Sequence, residues 1–186
     1  MHDLEPITPL GQPQPVVETH GAVTMTEVTN IALASVAARH GQTSATVAKL
    51  ERILGAPPPA PGRLGGTSLM TFWMGPEQWM IEAPIAPKQV LAIQMATMFN
   101  GVASVTEQTD GWCRFDLTGD RLPDIFERMC PANTRAFRGG EAVRTTIHHI
   151  GCFVLCRTPA HVSVLGPRSS AGSLHHAVRT AMFSAL

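Results

Sequence analysis

The stretch that most limits what this chain can fold into is Asp110–Arg157, DGWCRFDLTGDRLPDIFERMCPANTRAFRGGEAVRTTIHHIGCFVLCR. Trp112, Arg114 and Asp116 alternate with Cys113, Phe115 and Leu117, the period of a strand with two unlike faces. Thr118-Gly119-Asp120 turns the chain, and Leu122, Ile125, Phe126 and Met129 then recur on one face of an expected helix, Asp120–Met129. Pro123 suits the first helical turn, where its missing N–H is not needed, and Pro131 stops the helix after Cys130. Val143–Ile147 and Cys152–Arg157 are rich in β-branched and apolar residues and read as strands hinged at Gly151. His161–Leu165 reads as a further strand.

The first half carries the same order. Val23–Val28 and Ile31–Ala37 read as two strands around Thr29-Asn30. Thr43 or Ser44 caps a helix with Val47, Leu50 and Leu54 on one face, and Gly55 closes it. After the stiff loop Ala56–Gly66, the strands Thr67–Trp73 and Trp79–Glu82 form a hairpin ended by Pro84. Pro87 opens a second helix bearing Val90, Leu91, Met95, Met98 and Phe99. The second half starts with a strand over Ala103–Glu107 and closes with a helix over Ser169–Ser184, where Leu174, Val178, Ala181 and Met182 align. Leu50 corresponds to Phe126 and Trp79 to His161, offsets of 76 and 82. This element order predicts an α+β fold built from a duplicated β-β-α-β-β-(β)-α unit, with pseudo-repeats at about 23–100 and 101–186. Together they form one compact domain over residues 21–186. Residues 1–20, with Pro6, Pro9, Pro13 and Pro15 and no apolar period, read as a Pro-rich flexible arm.

Charge excludes some classes. Lys and Arg balance Asp and Glu at 14 each, so the chain lacks the field of a nucleic-acid or anionic-membrane binder. Charged residues are only 15% of a chain holding nine Met and three Trp, which points to apolar surface meant for a partner. Cys113, Cys130, Cys152 and Cys156 have no CxxC spacing. Asp3 and Glu5 stand where a secretory signal would be basic, so the expectation is a cytoplasmic protein with free, mostly buried thiols.

Candidate chemistry is sparse. His148, His149, Cys152 and Cys156 invite a metal reading but lack two ligand knuckles, and no metal site is expected. Asp120, Asp124 and Glu127, interleaved with Arg121 and Arg128, describe a solvated helix face. Gly65-Gly66 and Gly139-Gly140 belong to neither GxGxxG nor GxxxxGK[ST], and no GxSxG elbow exists, so neither a nucleotide cofactor nor a catalytic residue is expected in this chain. Asp110 beside Trp112 is the one weak pocket candidate; Asp116 also sits near a strand end. Trp73 and Trp79, with Met70 and Met74, are core or interface anchors with equal weight. His175 and Arg179 on the last helix are further interface candidates, although an exposed polar patch around His175-His176 is the plainer reading.

Several stretches, in order, resemble the gamma subunit of heterotetrameric sarcosine oxidase: Ser35–Arg39, Trp73–Trp79 (WMGPEQW), Gln108–Gly111, Arg114–Gly119, Met129–Pro131, Arg135–Phe137, His149–Gly151 and Arg168–Leu174 (RSSAGSL). The resemblance runs from about Thr24 onward; Ser170 and His175 depart from it, standing where Phe and another aromatic are common. It implies a fold related to the folate-binding domain of the glycine-cleavage T-protein. It also implies a non-catalytic subunit packed on alpha, beta and delta partners, of which alpha and beta carry FAD, FMN, NAD and tetrahydrofolate and oxidise sarcosine. A stand-alone folate-binding or aminomethyltransferase-like protein is the alternative, and a small enzyme with an unrecognised site a third. The purified chain is expected to show no flavin band near ~450 nm; a stoichiometric yellow chromophore contradicts this.

Overall fold

A computed structural model describes residues 5–67, 69–85 and 90–186. The chain divides into two units: 1–29 with 111–186, and 30–110. The division falls at 29/30 and 110/111, not at the repeat boundary expected near residue 100.

In the contiguous unit, β3 (Ile31–Ala38) leads through α1 (Thr43–Leu54) to β4 (Leu64–Gly65), β5 (Met70–Gly75), β6 (Gln78–Pro84), α2 (Leu91–Met98) and β7 (Ala103–Glu107). The strands form an antiparallel sheet in the order β4-β5-β6-β3-β7. Thr46, Leu50 and Leu54 recur at i, i+4 and i+8 and bury one face of α1. Gly55 then takes the left-handed conformation that ends the helix, its N–H reaching the carbonyl of Glu51. The cap expected of Thr43 is absent: its hydroxyl donates to Glu77 at 2.6 Å. Ala34, Val36, Leu50, Trp79, Ile81, Met95 and Phe99 form this core. Pro87, expected to open the second helix, lies outside the described residues.

The other unit has β8 (Trp112–Gly119), α3 (Leu122–Phe126), β9 (Ala142–Ile147), β10 (Ile150–Thr158), β11 (His161–Pro167) and α4 (Ala171–Ala185). Two strands from the start of the chain, β1 (Val17–His20) and β2 (Val23–Glu27), complete its antiparallel sheet β1-β2-β8-β11-β10-β9. The two sheets therefore share one plan. The interior strand β3 is flanked by β6 and β7, and the interior strand β8 by β11 and β2. β2 and β3, read from sequence as neighbours around Thr29-Asn30, pair with different strands. Glu107 stands opposite Ala34 as Glu27 stands opposite Phe115. In these ladders Trp79 faces Val36, and Val162 faces Leu117.

Two local expectations change. The helix over Asp120–Met129 shortens to Leu122–Phe126, because Arg121 takes a φ of +61° and only then does the helical backbone begin. Gly151 is not the hinge of the β9–β10 hairpin; it pairs with Thr146 inside the ladder, and His148-His149 make the turn.

The segment read as a loose arm is folded onto its unit from Thr8 onward. Buried Glu27 accepts hydrogen bonds from the N–H of Leu10 at 2.9 Å and of Val16 at 3.1 Å. A carboxylate taken from water needs such partners, and here they are backbone donors that the prolines around them cannot engage in a helix. Thr8 is buried, Arg168 holds the Ile7 carbonyl at 3.0 Å, and residues 17–20 are strand β1.

Phe126 and Leu50 are each fully buried in their cores. Phe126→Ala is expected to cost about 3–5 kcal/mol and Leu50→Ala about 2–5 kcal/mol in urea denaturation. A loss below about 1 kcal/mol at either position contradicts the assigned helix faces.

Candidate functional site

A buried ionic and hydrogen-bonded network is centred on β8. Cys113, Phe115 and Leu117 enter the hydrophobic core, so the pleat sends Trp112, Arg114 and Asp116 to the opposite face. Arg114 donates through Nε and Nη2 to the two carboxylate oxygens of Asp116, both at 2.7 Å. Across the ladder, His161 Nε2 lies 2.8 Å from Asp116 Oδ2. Ser163 faces Asp116 in register, hydrogen-bonds to it, and accepts from Arg157 Nε at 3.1 Å. On the same face Trp112 lies 5.9 Å from the Phe153 ring, with the Arg144 guanidinium also 5.9 Å from that ring.

Electrostatics fix what this network can do. Burial alone would raise the Asp116 carboxyl, but the two-pronged Arg114 contact, with Ser163 and His161 added, holds it below the usual carboxylate range. Asp116 is thus an ionised anchor already engaged by three side chains, not a base poised near neutrality. The cysteines point the same way: burial pushes the Cys113, Cys152 and Cys156 thiols up to about 11, helped at Cys156 by Glu141. At neutral pH they are protonated and poor nucleophiles.

The residues singled out from sequence disperse. Asp110 is exposed in the short 3-10 turn Thr109–Gly111, while Trp112 is half-buried beside Phe153. Trp79 is corrected to a core residue: it is buried, and its indole N–H donates to the Pro59 carbonyl at 3.1 Å. Trp73 pairs with Trp79 in the β5–β6 ladder and packs on the same cluster; Met70 and Met74 are half-buried on β5. His175 and Arg179 are tied within the chain. Glu18 accepts from Arg179 at 2.6 Å and lies 3.2 Å from His175, a contact not aligned as a hydrogen bond. Arg179 also covers the Phe183 ring at 4.7 Å, and His20 stacks on that ring at 4.1 Å. These contacts fasten β1 to α4.

Cys152 and Cys156 point into the core, whereas His148 and His149 are exposed at a hairpin turn. Among the described residues no group of three or more His, Cys, Asp or Glu side chains is placed to hold a metal. Asp124 and Glu127 form the expected exposed ion pairs, but Arg135 serves both of them and Arg121 serves Asp124, while Arg128 takes no part.

Sequence reading left Asp116 ambiguous and passed over its partners His161 and Ser163, and Arg157 behind Ser163. The signal was Arg-x-Asp inside an otherwise apolar strand, since charges rarely enter such a strand unless they pair on one face.

No family model matches the chain, and no curated protein matches it. Solved structures do. A chain of heterotetrameric sarcosine oxidase from Corynebacterium sp. U-96, in complex with pyrrole 2-carboxylate, superposes with a TM-score of 0.77 at 22% identity, covering 90% of this chain and 88% of that one. The glycine cleavage system aminomethyltransferase T from Bartonella henselae superposes with a TM-score of 0.61 at 11% identity, covering 86% of this chain but 46% of that one. The chain shares the fold of both, and it spans less than half of the aminomethyltransferase. No helix among the described residues is long and apolar enough to cross a membrane.

Because the folded pKa of Asp116 lies below its unfolded value, its stabilising contribution is complete above about pH 4 and is lost as pH falls through the folded pKa. Urea midpoints measured from about pH 6 to 2 should drop in the original chain and drop less steeply in Asp116→Asn. Asp116→Ala, which strands Arg114, should cost about 3–5 kcal/mol at neutral pH. Parallel pH profiles for the original and Asp116→Asn would contradict the assignment.

Proposed function

We propose that this chain is the gamma-type, non-catalytic subunit of a sarcosine-oxidase-type complex with alpha, beta and delta partners, of which alpha and beta carry the flavins, NAD and tetrahydrofolate. The observation that carries this reading is the near end-to-end correspondence with a sarcosine oxidase chain: coverage of 90% and 88% means two chains of nearly equal length folded alike throughout. The aminomethyltransferase alternative rests on a match to under half of that enzyme. The chemistry of the site agrees with an assembly role, since Asp116 is neutralised by Arg114 and the buried thiols stay protonated.

The common plan of the two sheets supports descent from one duplicated unit, each copy giving its first strand, β2 or β7, to the other copy's sheet. Apolar surface for partners is concentrated among the described residues on Ile85 and the 90–98 segment: Ile85, Val90, Ile93 and Met98 are all exposed. This segment replaces Trp79, His175 and Arg179 as the first choice for an interface, and exposed apolar side chains grouped on one short segment are what an assembly surface requires.

Co-expression with alpha, beta and delta subunits is expected to yield a complex containing this chain and an amine-dependent peroxide-forming activity. Ile93→Asp should reduce the recovered complex at least tenfold (order of magnitude from hot-spot losses) while leaving the isolated chain's unfolding midpoint nearly unchanged. Partners that assemble and turn over fully without this chain, or turnover by this chain alone, would refute the role.

A further inference from the structure

β9 and β10 are joined by only two residues. Ile147 pairs with Ile150, and His148 and His149 between them take φ values of +49° and +68°. Successive left-handed residues make the hairpin turn favoured by Asn-Gly, a backbone state that costs energy for any residue with a Cβ even though His enters it more readily than most. Such strain, held where easier residues exist, points from the backbone to a use for the side chains.

His148 lines a groove of about 310 Å³ together with Arg128, which follows α3, and His176, Thr180 and Ser184 of α4. Among the described residues no acidic side chain lines it. Elsewhere in this unit the arginines are engaged: Arg114 with Asp116, Arg135 with Asp124 and Glu127, Arg179 with Glu18. Among the described residues, the Arg128, His148 and His176 side chains form no hydrogen bond or ion pair. Glu127, the neighbouring acid, is committed to Arg135 and does not neutralise Arg128. A guanidinium, two imidazoles and two hydroxyls thus gather around one space with no counter-charge.

We propose that this groove binds a small phosphate-bearing anion, inorganic phosphate or a phosphate monoester. Arg128 supplies a forked pair of N–H donors, His148 and His176 supply ring N–H donors, and Thr180 and Ser184 supply hydroxyls. A tetrahedral group with three or four oxygens can use donors from three separate elements, whereas a carboxylate is satisfied by one guanidinium fork. The groove volume leaves room for the organic part of a small ester. The site is separate from the Asp116 network and does not rest on the subunit role proposed above.

The test is a titration of the full-length chain with inorganic phosphate, and separately with succinate at equal ionic strength, followed by NMR of the imidazole C–H signals. Single variants H148N and H176N assign those signals. Phosphate should shift the His148 and His176 signals saturably, with succinate at least tenfold weaker and higher salt weakening both. R128A should keep the fold and weaken phosphate at least tenfold. H148N/H149G installs the favoured turn, so its unfolding midpoint should rise while its phosphate affinity falls several-fold. Unsaturable shifts shared by all histidines, equal responses to phosphate and succinate, or undiminished affinity in R128A or H148N/H149G would each overturn the proposal.

Discussion

The antiparallel pairing of Val23–Glu27 with Trp112–Gly119 is the contact on which the larger unit depends. It closes a loop of some ninety residues and turns β8 from an edge into an interior strand. Close approach is built into its end. Gly119 has a φ of +133°, and a Cβ there would fall 2.0 Å from the Ala22 carbonyl oxygen. Only a residue without a side chain lets the two backbones meet this way. Once β2 is seated, Glu27 gathers the Pro-rich segment, β1 extends the sheet, and Glu18 reaches Arg179 on α4.

An ionic network inside a sheet is an expensive way to gain stability, since desolvating charges offsets most of their attraction. Its stronger effect is on register. Arg114 engages Asp116 within β8, and Ser163 and His161 of β11 complete the network only when they lie opposite and diagonal to the carboxylate. A one-residue slip of β11 would present Val162 or Val164 to the carboxylate and remove the Ser163 and His161 hydrogen bonds from this buried group. The polar groups of the fold thus serve alignment, which fits a chain whose proposed work is to hold shape against partners.

How much of this was legible depended on range. The alternation of Cys113, Phe115 and Leu117, the Leu50 and Phe126 helix faces and the Gly55 stop are local, and local periodicity shows them. Strand partners are not local. Nothing in Val23–Glu27 says that it pairs with a strand ninety residues on and not with Ile31–Ala38 next door, and the prolines made the segment look unbound because the acceptor that holds Leu10 and Val16, Glu27, lies outside it. The His148-His149 turn was hidden for a different reason. Gly151 is the residue that turn chemistry favours, and the chain bends instead where imidazoles bear the strain. Trp79 was undecided between core and surface until its N–H partner at Pro59, twenty residues away, was visible.

The seating of β2 beside β8 has a consequence for synthesis on the ribosome. Residues 30–110 are contiguous, so that unit has its whole sequence in hand before residue 111 emerges. The other unit is interrupted: Val23 and Met25, fully buried in the end, are made first and wait for β8 and β11. Until then an apolar strand, paired only with β1, has one unpaired edge, the condition under which nascent chains associate wrongly or recruit chaperones. Long-range β pairing is also slow, because loop closure precedes any gain from contact. The vectorial order of translation therefore favours folding of the middle of this chain first, with its two ends meeting last.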